Sequence, residues 1–129
     1  MAIAVTAANV RPINPDPEHI INDVALHATV TAGQLVYHDG TGWAVAALTS
    51  ATTGRAQGVA LTGGASGDKV DVLTSGRLTG WTGLTAGGIL YSAAAGAVSH
   101  TGASTSSCVG FAISTTDWLF VGQAAYSVP

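Results

Sequence analysis

A chain of 129 residues, 47% hydrophobic and only 9% charged, suits one domain with enough apolar material for a core and too little charge for intrinsic disorder. Its net charge of −3, with Arg11, Arg55, Lys69 and Arg77 set singly along the chain, leaves no electrostatic footprint for DNA or RNA. A charge content far below the roughly 25% of ordinary domains suits a surface partly covered by other protein.

Met1–Val5 lacks the basic start and long apolar run of a signal peptide. No stretch reaches the roughly 18 apolar residues that span a bilayer, so a soluble, unexported protein with no membrane partner is expected. Residues 1–23 read as an extended, proline-rich N-terminal arm. Pro12, Pro15 and Pro17 each fix their own φ and push the preceding residue out of the helical region. The segment is either a frayed terminus or an arm that orders against a neighbouring subunit, and the second reading rests on Ile3, Val5, Val10 and Ile13, which are apolar and gain nothing on a solvated tail.

Residues 24–129 read as a single β domain. Runs rich in Val, Leu, Thr and aromatics recur at 24–30, 34–38, 43–48, 57–61, 69–74, 88–91, 97–100, 108–113 and 118–124, with Gly-rich breaks between them. Such spacing predicts an all-β fold, a small barrel or sandwich. Tyr37-His38-Asp39-Gly40-Thr41-Gly42-Trp43 is the clearest hairpin, because Asp-Gly supplies the positive φ of a tight turn. The alanine runs 44–47 and 93–95 are too short to nucleate a helix.

The domain reads as two similar halves, approximately 31–76 and 85–124. Thr31-Ala32-Gly33-Gln34-Leu35-Val36-Tyr37 matches Thr85-Ala86-Gly87-Gly88-Ile89-Leu90-Tyr91 at an offset of 54, and Gln57-Gly58-Val59-Ala60-Leu61 matches Val109-Gly110-Phe111-Ala112-Ile113 at 52. Lys69-Val70-Asp71-Val72 is aligned with Trp118-Leu119-Phe120-Val121 at an offset near 49.

Chemistry is sparse. Cys108 is the single cysteine, so neither an intrachain disulfide nor a Cys-based zinc site is available. His19, His27, His38 and His100 include no pair at metal-ligand spacing, so no metal and no cofactor is expected. His38 and Asp39 are adjacent on a strand and point to opposite faces, which leaves Asp39 as a turn residue. Gly63-Gly64-Ala65-Ser66-Gly67-Asp68-Lys69 fails as a phosphate loop, since Asp68 interrupts Gly-Lys and a strand follows. Trp43, Trp81 and Trp118 are either core residues or aromatics of a subunit interface. No enzyme is expected.

The phrases Thr-Ala-Gly-Gln-Leu-Val-Tyr, Ala56-Gln57-Gly58-Val59-Ala60 and Gly67-Asp68-Lys69-Val70-Asp71-Val72-Leu73-Thr74-Ser75-Gly76-Arg77-Leu78, continued by the second half, resemble the capsid decoration (cement) proteins of tailed bacteriophages over roughly residues 30–124. The resemblance implies a compact β domain made in the host cytoplasm. It would assemble as a homotrimer on the outer surface of the phage head, at junctions between capsomers. The partners implied are the major capsid protein and further copies of the chain. The arm would supply capsid contacts through Ile3, Val5, Val10, Arg11 and Ile13, and Trp43, Trp81 and Trp118 would be the candidate interface aromatics. Phage tail, head-fibre or baseplate modules that bind host-surface glycans use similar phrases and form the alternative.

Overall fold

The computed structural model describes residues 3–13, 20–46, 56–102 and 108–121. Its strands, in chain order, are β1 Ala4–Val5, β2 Arg11–Pro12, β3 Ile20–Ala25, β4 Leu35–His38, β5 Trp43–Val45, β6 Gly58–Ala60, β7 Lys69–Leu73, β8 Gly76–Thr79, β9 Trp81–Thr82, β10 Ile89–Ser92, β11 Val98–Ser99, β12 Cys108–Ala112 and β13 Asp117–Phe120. The fold is all-β. A first sheet runs β3-β7-β6-β4-β5, a second runs β11-β10-β12-β13-β8-β2, and β1 pairs with β9 in a two-stranded ribbon. Pairing between these strands is antiparallel, and an isolated parallel bridge joins Leu26 to Trp43.

Turn chemistry explains the tight connections. Between β4 and β5, Asp39 Oδ1 accepts the backbone N–H groups of Thr41 at 2.8 Å and Gly42 at 2.9 Å. Gly40 takes the positive φ (+100°) that the turn requires. Between β6 and β7, Asp68 Oδ2 accepts the N–H of Ala65 at 2.9 Å, so the Gly-rich stretch is a turn.

The repeat is real, and its register corrects the expected alignment. Leu35 faces Val59 as Ile89 faces Phe111, and Val36 faces Gly58 as Leu90 faces Gly110. Ala60 faces Val72 as Ala112 faces Trp118. Asp71-Val72-Leu73 is therefore the counterpart of Asp117-Trp118-Leu119, an offset of 46 rather than 49. Nine residues separate Leu61 from Asp71 but only three separate Ile113 from Asp117, and the shorter turn takes up the difference. The repeat also starts earlier than expected in each half. Ile21 faces Val72 as Leu78 faces Trp118, so β3 and β8 are counterparts and Arg77-Leu78 opens the second half instead of closing the first.

The sheets stack over one core in which Leu35, Val59 and Leu73 of the first meet Leu78, Leu90, Trp118 and Phe120 of the second. The Trp118 ring stands edge-on to Trp81 at 5.3 Å and to Phe120 at 5.8 Å. A smaller core lies on the other side of the first sheet, where Leu26 and Val30 cover Val36, Ala60, Val70 and Val72.

The detached arm is not what the chain builds. The expected boundary after residue 23 falls inside β3, and β1 and β2 are paired into the body. Val10 is in the main core. The local reason is Gly80, where a Cβ would sit 2.9 Å from the backbone of Asn9 and Val10, so only glycine lets the segment lie this close. Pro12 is tolerated because β2 is an edge strand, whose outer side needs no donor. Pro15 and Pro17 lie outside the described residues.

Candidate functional site

Alternation along a strand sends successive side chains to opposite faces. In the second sheet, Leu90, Ala112, Trp118 and Leu78 point into the core and are buried. Their neighbours Ile89, Phe111, Leu119 and Arg77 consequently point outward. Registered pairing places these four side by side across β10, β12, β13 and β8. The row spans three strand intervals, about 14 Å. Ile89 is 52% exposed, Phe111 43% and Ile113 37%, while Leu119 is half-buried. Arg77 closes one end and donates from Nη2 to Asp117 Oδ2 at 3.1 Å. Hydrogen bonds from Thr79 and Thr116, with Arg77 adding to them, hold the Asp117 carboxyl below its ordinary value against the opposing effect of partial burial.

The counterparts of this row in the first sheet are Leu35, Val59 and Leu73, and those are the residues buried against the second sheet. Equivalent faces of the two halves therefore meet different surroundings. The first sheet's face is covered by the second sheet, and the second sheet's equivalent face is covered by nothing in the described chain. Exposed apolar side chains set singly are ordinary, whereas a contiguous apolar run on a sheet face, here Ile89, Phe111 and Leu119 with Arg77 at its end, is a candidate interaction surface.

The residues expected at a site divide differently. Trp81 and Trp118 are 3% and 0% exposed, so they belong to the chain's own core and are removed as interface aromatics. Bulky side chains were needed to fill the space between the sheets beside small partners such as Gly110 and Ala112. Trp43 is half-buried, with His38 edge-on to it at 5.7 Å. Of the arm residues, Val10 is buried, Ile3 packs partly against the core, and Ile13 is half-buried and donates its N–H to the Arg77 carbonyl at 2.9 Å. Val5 and Arg11 remain exposed, opposite Trp81 and Thr79 respectively. Cys108 is exposed beside Tyr91 on the same outward face as the row.

Ile89, Phe111, Ile113 and Leu119 are not among the residues expected at a site, because a strand motif alone does not say which of its faces is covered. The available signal was alternation in Gly110-Phe111-Ala112-Ile113, where the small residues sit on the crowded face and the large ones on the open one.

The polar clusters have structural partners. His27 Nδ1 lies 2.5 Å from Asp39 Oδ2, joining the loop after β3 to the β4–β5 turn. The nearby hydroxyl of Ser66 donates to the His27 carbonyl and not to its imidazole, so no nucleophile–base pair is formed there. A cleft of about 270 Å³ beside Ile3, Val5, Gly33 and Trp81 has Gln34 among its polar groups, and that amide is already bonded to Thr31 N and Ala95 O. Among the described residues no three His, Cys, Asp or Glu side chains converge as metal ligands, and no helix is long and apolar enough to cross a membrane. Comparison with protein-family models, curated proteins and solved structures finds no match for the chain.

Proposed function

We propose that this chain is a structural, non-enzymatic virion protein: a capsid decoration protein on the outer surface of a tailed-phage head, bound to the major capsid protein at junctions between capsomers and acting as a homotrimer. The observation that carries this reading is the apolar row Ile89–Phe111–Leu119, uncovered among the described residues, which gives a body otherwise built for packing a face on which to assemble with other protein, further copies of the chain among them. A docking protein works through contact area, and specific interfaces bury about 1,600 Å² in total. A shell under internal pressure fails where capsomers separate, and a module that bridges the seam adds contact there. Several copies held in one oligomer dock multivalently, so modest single contacts give slow release. With residues 3–13 paired into the body, docking rests on rigid surfaces, among them exposed Val5 and Arg11, and not on a free tail.

The test is the copy number of the chain per purified virion, measured by quantitative mass spectrometry against the major capsid protein. A simple lattice fraction supports shell-wide decoration. A handful of copies moves the protein to a tail, fibre or baseplate position, and absence from particles overturns the reading.

A further inference from the structure

We infer that the outward face of the second sheet, centred on Phe111, is where copies of this chain meet one another around a symmetry axis. This deepens the reading above in that it rests on a homo-oligomer, though not on the phage head.

The internal repeat identifies the occupant. In the first half, Leu35, Val59 and Leu73 are covered by a sheet of this same chain. Their counterparts Ile89, Phe111 and Leu119 keep the apolar character of a face made to be covered by a sheet. Two arrangements of a second copy could supply one. In a head-to-tail stack, the next copy would offer the first-sheet face that carries Val36, Ala60 and Val72. Those three residues are already sealed by Leu26 and Val30, which leaves Ile21 exposed on the edge strand β3. The seal is pinned by Leu26 N–H to Asp68 O and by paired bonds between Val30 and Gly64, all at 2.9 Å. Sealing them also forbids the open-ended filament that head-to-tail stacking would generate. What remains is a closed arrangement in which the second-sheet face of every copy turns toward the shared axis and no end is left unfilled.

Charge is compatible with the same occupant. Arg77 and Asp117, which flank the row, pair with each other within one copy, and the exposed Arg11, opposite Thr79, stands on the edge strand β2, three strands from Phe111. Cys108 lies on this face and becomes a reporter of its coverage.

Sedimentation velocity of the full-length chain tests this, comparing wild type with Phe111→Lys, Ile89→Lys and Ile21→Lys. Ile21 is as exposed as Phe111, at 43%, but belongs to the first sheet. Wild type and Ile21→Lys are expected to remain oligomeric. Phe111→Lys and Ile89→Lys are expected to sediment as folded monomers with unchanged circular dichroism, their association weakened by at least about 30-fold, the size of an interface hot spot. Alkylation of Cys108 is expected to be slow in wild type and faster in both row variants. If Phe111→Lys fails to fold, Ile89→Lys at the more exposed position decides. A monomeric wild type, or row variants that stay as oligomeric as wild type, overturns the proposal. An oligomeric wild type that does not stay on phage heads sinks the capsid reading and leaves this one standing, whereas a monomer that stays on heads does the reverse.

Discussion

His100 Nε2 accepts the backbone N–H of Thr85 at 2.9 Å, doing for the second half what Gln34 Oε1 does for Thr31 at 2.7 Å in the first. With Nε2 as acceptor, the ring proton sits on Nδ1 and is donated to the Ile89 carbonyl at 2.9 Å. The two halves thus keep one hydrogen bond by different means. Gly88, the counterpart of Gln34, leaves space that the imidazole fills, since a Cβ there would lie 2.7 Å from His100 Cε1.

That exchange can be reversed. His100→Ala is expected to lower stability by about 1 kcal/mol, the worth of an ordinary hydrogen bond. Gly88→Gln alone is expected to destabilise by collision with the ring. The double variant, Gly88→Gln with His100→Ala, is expected to recover most of the loss, because a glutamine then caps Thr85 as Gln34 caps Thr31. Urea unfolding of all four proteins in a double-mutant cycle reads this directly. Additive losses would show that the two residues do not share one site.

Acid sensitivity is expected to centre on Asp39. The His27 imidazole beside it, with the N–H groups of Gly42 and Thr41, holds its carboxyl well below the usual carboxylate range. A depressed folded-state value means that the stabilisation is fully present above the ordinary carboxylate value near 4 and is lost as pH falls through the folded value. The urea midpoint of wild type is therefore expected to be insensitive to pH near neutrality, as far as Asp39 sets it, and to drop below about pH 4. Asp39→Asn is expected to start lower and fall less steeply. The pair is solvent-exposed, so added salt should narrow the gap between the two proteins.

Most strands were legible because their signals are local. Asp39-Gly40 and the Gly-rich turn ending at Asp68 announce connections through the φ angles and side-chain acceptors that turns need. The apolar run Leu35-Val36-Tyr37 and the alternation in Lys69-Val70-Asp71-Val72 mark strands. What escaped depends on tertiary context. Gly76-Arg77-Leu78-Thr79 carries too weak a β pattern to separate it from a turn, and it becomes a strand because β13 on one side and β2 on the other offer backbone partners. The same context hid the candidate site. Leu35 and Ile89 occupy matching places in a shared motif, yet one is fully buried and the other is half exposed. The difference lies in what stacks on each sheet, which no local pattern records. Trp118 is the converse case: its size was visible, but its enclosure by Trp81 and Phe120 arises only when the sheets meet.

Two counterpart glycines should be intolerant for steric reasons alone. A Cβ on Gly110 would lie 1.8 Å from the Leu119 carbonyl oxygen, and one on Gly58 would lie 2.2 Å from Val72 Cγ1. The first collision is with backbone and cannot be relieved by a rotamer change, so Gly110→Ala is expected to cost more than about 4 kcal/mol and to yield little folded protein. Gly58→Ala meets the Leu73 carbonyl at 3.0 Å as well and is expected to be severe but milder. Gly67→Ala has open space around it and only a positive φ (+94°) to oppose it, so a loss of about 1 kcal/mol is expected. Thermal unfolding of the three variants should rank them in that order.

Val10 distinguishes a strand of the body from a docking arm. Its side chain is 8% exposed within the main core, and a Cβ on Gly33 would lie 3.0 Å from its Cγ2. Val10→Ala removes buried methyl groups from a site closed in by Gly33 and Gly80, so a loss of about 2 kcal/mol is expected in the purified protein, with no phage heads present. Removing residues 1–13 deletes β1 and β2 as well, leaves the edge of β8 unpaired, and is expected to lower the unfolding midpoint further. A segment whose role was confined to clamping a neighbour would behave otherwise. Its loss would leave the unfolding of the isolated domain unchanged and would alter only retention on heads. Measuring unfolding first and retention second on the same variants separates the two, because a stability loss in isolation can come only from contacts within the assembly the chain forms by itself.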